Sequence, residues 1–180
     1  MSDAPKVKVA TVWLDGCSGC HMSFLDIDQR LIDLAAKIDL VFSPLVDVKV
    51  FPDIVDVCLV EGAVATDQDM DKIRKIRQHS KILIALGDCA VTSNIPGMRN
   101  PFGPEPAMQR AFHDNADLQP QNPGEHLPRL LERVRPIHEV VKVDVFVPGC
   151  PPPADTIWSV LVDLLDGRIP DVAPLTRFGR

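Results

Sequence analysis

Lys6-Val7-Lys8-Val9-Ala10-Thr11-Val12-Trp13-Leu14 runs directly into Asp15-Gly16-Cys17-Ser18-Gly19-Cys20. The first nine residues alternate and then turn wholly apolar, the pattern of a first strand. The next six form a loop with two cysteines beside glycines. Phe24, Ile27, Leu31 and Leu34 then recur at helical spacing and predict a helix from about His21 to Lys37. Strand, cysteine loop and helix in that order open an α/β sheet.

The same alternation continues along the chain. Ile38 to Phe42 reads as a second strand, and Val55 to Val64 as a buried strand ending near Glu61-Gly62. Thr66 is placed to cap a helix running to His79, with Asp67, Asp69 and Asp71 at the end where the helix dipole favours negative charge. Lys81 to Leu86 and Val140 to Val147 are the next strands. A last helix spans Ala154 to Leu165, ended by Gly167 with Pro170 beyond. Strands alternating with helices predict an α/β fold, a doubly wound parallel sheet with helices on both faces. The whole chain, residues 1–180, is expected to be one domain. Residues 93–136, with Pro96, Pro101, Pro104, Pro106, Pro120, Pro123 and Pro128, form a long loop-rich insertion. Short helices are expected there over 106–113 and 127–134. A loop region of that length reads as a covering or docking surface.

Composition narrows the function classes. The chain carries 19 basic and 25 acidic residues, a formal charge of -6, unlike the basic footprint of a nucleic-acid binder. No apolar run reaches the roughly 18 residues of a membrane-spanning helix, so no membrane partner is expected. Met1-Ser2-Asp3-Ala4-Pro5-Lys6 has no signal-peptide pattern, so a cytoplasmic setting is expected. Five cysteines, an odd number in a reducing compartment, point to metal binding or catalysis before disulfides.

Four of the five stand where loops leave predicted strands: Cys17 and Cys20, Cys89 in Gly87-Asp88-Cys89, and Cys150 in Pro148-Gly149-Cys150-Pro151-Pro152. Loops at the carboxyl ends of an open α/β sheet share one edge, where ligands bind. Four thiolates meeting there suit a [4Fe–4S] cluster or a zinc ion. Structural four-cysteine zinc sites usually come as two Cys-x-x-Cys knuckles, whereas here one pair accompanies two singletons, which favours iron–sulfur. Cys58, inside Val57-Cys58-Leu59-Val60, reads as a small core residue.

Taken together, Val12-Trp13-Leu14, Cys17-Ser18-Gly19-Cys20, Val60-Glu61-Gly62-Ala63, Gly87-Asp88-Cys89-Ala90, Pro136-Ile137-His138-Glu139-Val140 and Val147-Pro148-Gly149-Cys150-Pro151-Pro152 resemble the small subunit of [NiFe]-hydrogenases. The likeness runs in order over about residues 6–165. It is strongest to the short small subunit of cytoplasmic, bidirectional NAD-reducing enzymes. That resemblance implies a flavodoxin-like domain and one proximal [4Fe–4S] cluster held by Cys17, Cys20, Cys89 and Cys150. It further implies a nickel–iron centre in a separate large subunit and an iron–sulfur and flavin module that reacts with NAD. Two departures stand out. Many relatives carry a proton-transferring glutamate where this chain has Met22. Longer relatives add a domain with two more clusters, whereas no cysteine follows Cys150 here, so a single cluster is expected. Complex I subunits share Pro-Gly-Cys-Pro-Pro but typically have adjacent cysteines at the first site; the spaced Cys17/Cys20 pair favours hydrogenase.

Glu61, Asp88 and His138 are candidates for the surroundings of the cluster or for a subunit interface. Asp88 is expected to brace its loop through backbone N–H groups, and His21 to be simply the first turn of a helix. Cysteines in place of a plain phosphate-binding turn argue against FMN in this chain. No G-x-G-x-x-G follows a strand, so NAD is expected to bind elsewhere.

Overall fold

The computed structural model describes residues 5–124 and 127–176. The signal-peptide reading rests on residues that lie largely outside these ranges. Strand β1 (Val7–Trp13) is followed by helices α1 (Gly19–Leu25) and α2 (Arg30–Lys37), then β2 (Ile38–Phe42) and β3 (Val55–Glu61). A short β4 (Val64–Thr66) leads into α3 (Asp67–His79) and β5 (Ser80–Leu86). Helices α4 (Asp88–Thr92), α5 (Asn94–Gly97) and α6 (Pro104–Gln109) come next. Strands β6 (Leu130–Arg135) and β7 (Val145–Val147) and the last helix, α7 (Ala154–Leu165), complete the described elements that matter here.

The main sheet has five parallel strands in the order β2-β1-β3-β5-β7. This is the flavodoxin-like order, which reverses direction beside β1 and opens a crevice at the carboxyl ends of the strands. One face packs Val9, Leu59, Ile84 and Leu86 against Phe24, Leu34, Ile157 and Leu161 of α1, α2 and α7. The other packs Ala10, Val12, Cys58, Val60 and Leu83 against Ile73 and Ile76 of α3. The chain is therefore doubly wound, as its alternation predicts. Thr66 caps α3 reciprocally with Asp69: its hydroxyl accepts from the Asp69 amide, and the Asp69 carboxylate accepts from the Thr66 amide.

Three predicted elements differ. The helix expected over 21–37 is two, α1 and α2, because Asp28 adopts a left-handed backbone (φ 58°). An aspartate tolerates that conformation and ends a helix. Ile27 stays buried at the break, which is why the apolar spacing runs through it undisturbed. The helix expected over 127–134 is instead strand β6, paired antiparallel with β4 through Val64–Arg135 and Thr66–Leu130. A partner edge outweighs local propensity here, and the pairing buries Val134 with Ala63 and Ala65. The strand expected over 140–147 is regular only at Val145–Val147. Before it, Ile137–Glu139 is a 3-10 turn, and Asp144 is tied to Arg77 and to the Leu83 amide. The helix expected over 106–113 is present as α6, followed by one π-helical turn, Arg110–Asp114.

Candidate functional site

Trp13, Glu61, Leu86 and Val147 stand side by side across β1, β3, β5 and β7. One row of the sheet thus marks its carboxyl edge, and the cysteine loops leave from it. The loops are tied to each other. Asp15 and Ala63 exchange backbone hydrogen bonds of 3.1 and 2.7 Å; Gly87 N–H donates to the Val147 carbonyl at 2.8 Å, and Asp88 N–H to that of Gly149 at 2.8 Å. The Asp88 carboxylate accepts from the Gly149 amide at 2.7 Å, so this aspartate fastens the Cys89 loop to the Cys150 loop. Ser23 on α1 donates to the Pro152 carbonyl and joins the helix that carries Cys20 to the same loop.

The four strand-exit cysteines converge on this edge. Cys20 is buried, Cys89 half-buried, and Cys17 and Cys150 are exposed. Burial pushes the Cys20 thiol well above the ordinary thiol range; the Glu61 carboxylate and then Cys89, Cys17 and Cys150 push it the same way. Cys89 is also raised, first by burial; an amide bond from Ile95 opposes the shift, and Cys150, Cys17 and Glu61 add to it. Burial and the neighbouring groups disfavour the thiolate form of Cys20 and Cys89, and a cation placed among them would favour it. Gly87 explains how the loops come so close. It adopts φ +84°, and a Cβ there would lie 2.2 Å from Cys20 Sγ. N–H groups already point at sulfur: Gly19 N–H donates to Cys17 Sγ at 3.4 Å, and Asn94 Nδ2 to Cys150 Sγ at 3.5 Å. Cys58 lies on the opposite face of the sheet, fully buried against α3, with its thiol pushed up to about 12 by burial.

A buried polar chain lies beneath the cysteine loop, on the same face as α1. Glu61 Oε2 accepts from the His21 amide at 2.9 Å and also bonds His21 Nδ1. His21 Nε2 bonds Thr11 Oγ1 at 3.0 Å, Thr11 Oγ1 bonds Ser43 Oγ at 2.8 Å, and the Leu45 amide donates to Ser43 Oγ at 3.1 Å. Sequence reasoning singled out Glu61 but missed its partners. The available signal was Thr11, the one hydroxyl among the inward residues of β1, and a histidine on the first turn of a helix crossing that strand. His138 is exposed and stacked edge-on against Phe146. It lines a surface cavity of about 550 Å³ together with Ser93 and Asn94, the donor to Cys150. Met22 is exposed on α1.

Residues 17–164 match the family described as NADH ubiquinone oxidoreductase, 20 Kd subunit. The chain is 41% identical over 168 residues to the NAD-reducing hydrogenase HoxS subunit delta of Cupriavidus necator, covering 91% of this chain and 80% of that one. It belongs to this family of hydrogenase small subunits. A vhu polypeptide of the F420-non-reducing hydrogenase of Methanocaldococcus jannaschii is 39% identical over 166 residues, 91% of this chain, and there the chain spans only 58% of the relative's length. A chain of the crystal structure of NAD+-reducing [NiFe]-hydrogenase in the H2-reduced state superposes with a TM-score of 0.92 at 42% identity, over 97% of this chain and 99% of that one. Family membership thus accounts for the flavodoxin-like sheet and makes this chain a homologue of oxidoreductase subunits.

Proposed function

We propose that this chain is the electron-transfer small subunit of a cytoplasmic, NAD-linked [NiFe]-hydrogenase, holding one proximal [4Fe–4S] cluster on Cys17, Cys20, Cys89 and Cys150. The observation that carries the reading is the convergence of these four thiols, and no fifth, at the carboxyl edge of the sheet. Two features suit a cluster in particular. The cradle brings Gly87 so near Cys20 that a side chain is excluded. The donors from Gly19, Asn94 and the Ile95 amide fall on sulfur, and such bonds tune cluster potentials. A zinc ion would draw its sulfurs to about 3.8 Å from one another, given Zn–S bonds of about 2.3 Å. Family members of the complex I type are disfavoured by the spaced cysteine pair.

The cluster would supply one-electron transfer between the nickel–iron site of a large subunit and an iron–sulfur and flavin module that reduces NAD. The chain's own residues hold it. The Asp88–Gly149 and Ser23–Pro152 bonds lock three loops into one wall, while Pro151 and Pro152 keep the exit of the Cys150 loop stiff. Met22 and Leu25 are exposed on α1, which carries Cys20, and Ile95 and Met98 on and just after α5, which follows the Cys89 helix α4; such a surface suits a partner subunit. Among the described residues no helix is long and apolar enough to cross a membrane.

Anaerobic purification of the co-expressed assembly tests the assignment. Visible absorption with about four iron and four sulfide assigned to this chain is expected for one [4Fe–4S] cluster. A colourless chain containing zinc would reject it.

A further inference from the structure

We infer that His21 is a positioning residue: with Thr11 and Ser43 behind it, it fixes the Glu61 carboxylate against the cysteine site, so that Glu61 sets the reduction potential of the group held there. This rests on the cluster reading above. Glu61 and His21 are 2% and 3% exposed, and Thr11 and Ser43 are each 2% exposed. A carboxylate and an imidazole buried together at the foot of a strand are a poor way to fill a core, because desolvation of such a pair commonly outweighs their attraction. An apolar pair of similar volume would pack the same space.

The geometry instead holds one oxygen and presents the other. The His21 amide and His21 Nδ1 both bond Glu61 at Oε2. Oε1 lies 3.6 Å from the point a Cβ at Gly16 would occupy, directed at the Cys17/Cys20 loop. The carboxylate is felt by both Cys20 and Cys89. His21 is the residue that makes this possible, since its amide and its ring grip the same oxygen. Its far nitrogen is anchored by Thr11, and Thr11 by Ser43, whose own hydroxyl accepts from the Leu45 amide. Rotation of the ring would break the bond at each end, so the imidazole has one orientation. A negative charge held in a dry site near a redox group disfavours the added electron, and one held still does so by a fixed amount.

The test uses the co-expressed assembly. The cluster's electron paramagnetic resonance signal is identified as the one missing when Cys17 is replaced by serine, and is followed through a redox titration alongside iron and sulfide content. Glu61→Gln, which keeps shape and hydrogen bonding but loses the charge, is expected to favour the reduced cluster about tenfold at fixed potential, about 59 mV for a one-electron couple. Thr11→Val, which keeps shape but frees the His21 ring without touching any cysteine, is expected to shift the same equilibrium measurably and to broaden the signal; Thr11→Ser is expected to restore both. If Glu61→Gln loses iron, the Thr11 pair alone decides. Wild-type potential and line shape in Thr11→Val, or in an iron-replete Glu61→Gln, would overturn the inference and leave a merely structural pair. Absence of iron and sulfide from the wild-type chain would instead sink the cluster reading itself.

Discussion

Single residues divide the cysteines by environment. Cys58 is sealed among Val60, Leu83 and Ile73, and truncating it leaves a small cavity costing on the order of 1 kcal/mol. Cys58→Ala is therefore expected to keep full iron and sulfide, whereas alanine at Cys17, Cys20, Cys89 or Cys150 is expected to lose the cluster and hydrogen-dependent NAD reduction together. Assays on all five variants of the co-expressed complex check this; iron lost from Cys58→Ala with one of the four unaffected would reverse the assignment. Gly87 allows a sharper test of the same site. Its φ of +84° with ψ 163° is a conformation essentially only glycine adopts, costing an L-residue on the order of 1–3 kcal/mol, and a methyl there overlaps Cys20 Sγ. Gly87→Ala is expected to give a folded chain, judged by circular dichroism, with iron content well below wild type. Full iron in that variant would mean that Cys20 does not need its present place. These cysteines were legible in the sequence because each stands beside glycine or proline just after an apolar run. His21 was not, since its partners lie 10 and 40 residues away and meet it only once β1, β3 and α1 are in register.

At the scale of elements, legibility followed how much each segment depends on distant partners. β1, β3, β5, α3 and α7 carry their own periodicity and caps, and they fall where the sequence puts them. β6 does not: Leu127-Pro128-Arg129-Leu130-Leu131-Glu132-Arg133-Val134 has helical spacing, and only the free edge of β4 makes it a strand. The short β7 has a comparable dependence, through Asp144. Partial burial works against the ionised Asp144 carboxylate, but the Leu83 amide, the Arg77 guanidinium and Lys142 together hold its pKa below the usual carboxylate range. Its folded pKa is depressed, so its contribution is complete above the ordinary carboxylate pKa and is lost as pH falls through the folded value. Asp144→Asn is expected to loosen the β5–β7 junction at neutral pH and to flatten its acid sensitivity. Hydrogen exchange of the peptides covering Ser80–Leu86 and Val145–Val147 in the assembly reads both effects. Equal protection in variant and wild type at neutral pH would show that Arg77 and the ladder suffice without the carboxylate.

At the scale of the whole molecule, part of the exposed apolar surface lies beside the cysteine edge. Met22 and Leu25 lie on α1, which carries Cys20, and Ile95 lies on α5, whose amide bonds Cys89. A chain shaped this way is expected to aggregate when expressed alone and, with the proposed nickel–iron centre in a partner subunit, to oxidise no hydrogen by itself. Full hydrogenase activity from the purified chain by itself would contradict the proposed division of labour. Met22 tests that division from inside the complex. A thioether carries no protons, so if this position serves the partner surface and nothing more, Met22→Leu, a swap of similar volume, changes docking little. Hydrogen-driven NAD reduction is then expected to stay within a few-fold of wild type, with iron and subunit content unchanged. A hundredfold loss, about 2.7 kcal/mol of barrier, with the cluster and the assembly intact would mean that the methionine sulfur acts at the junction itself.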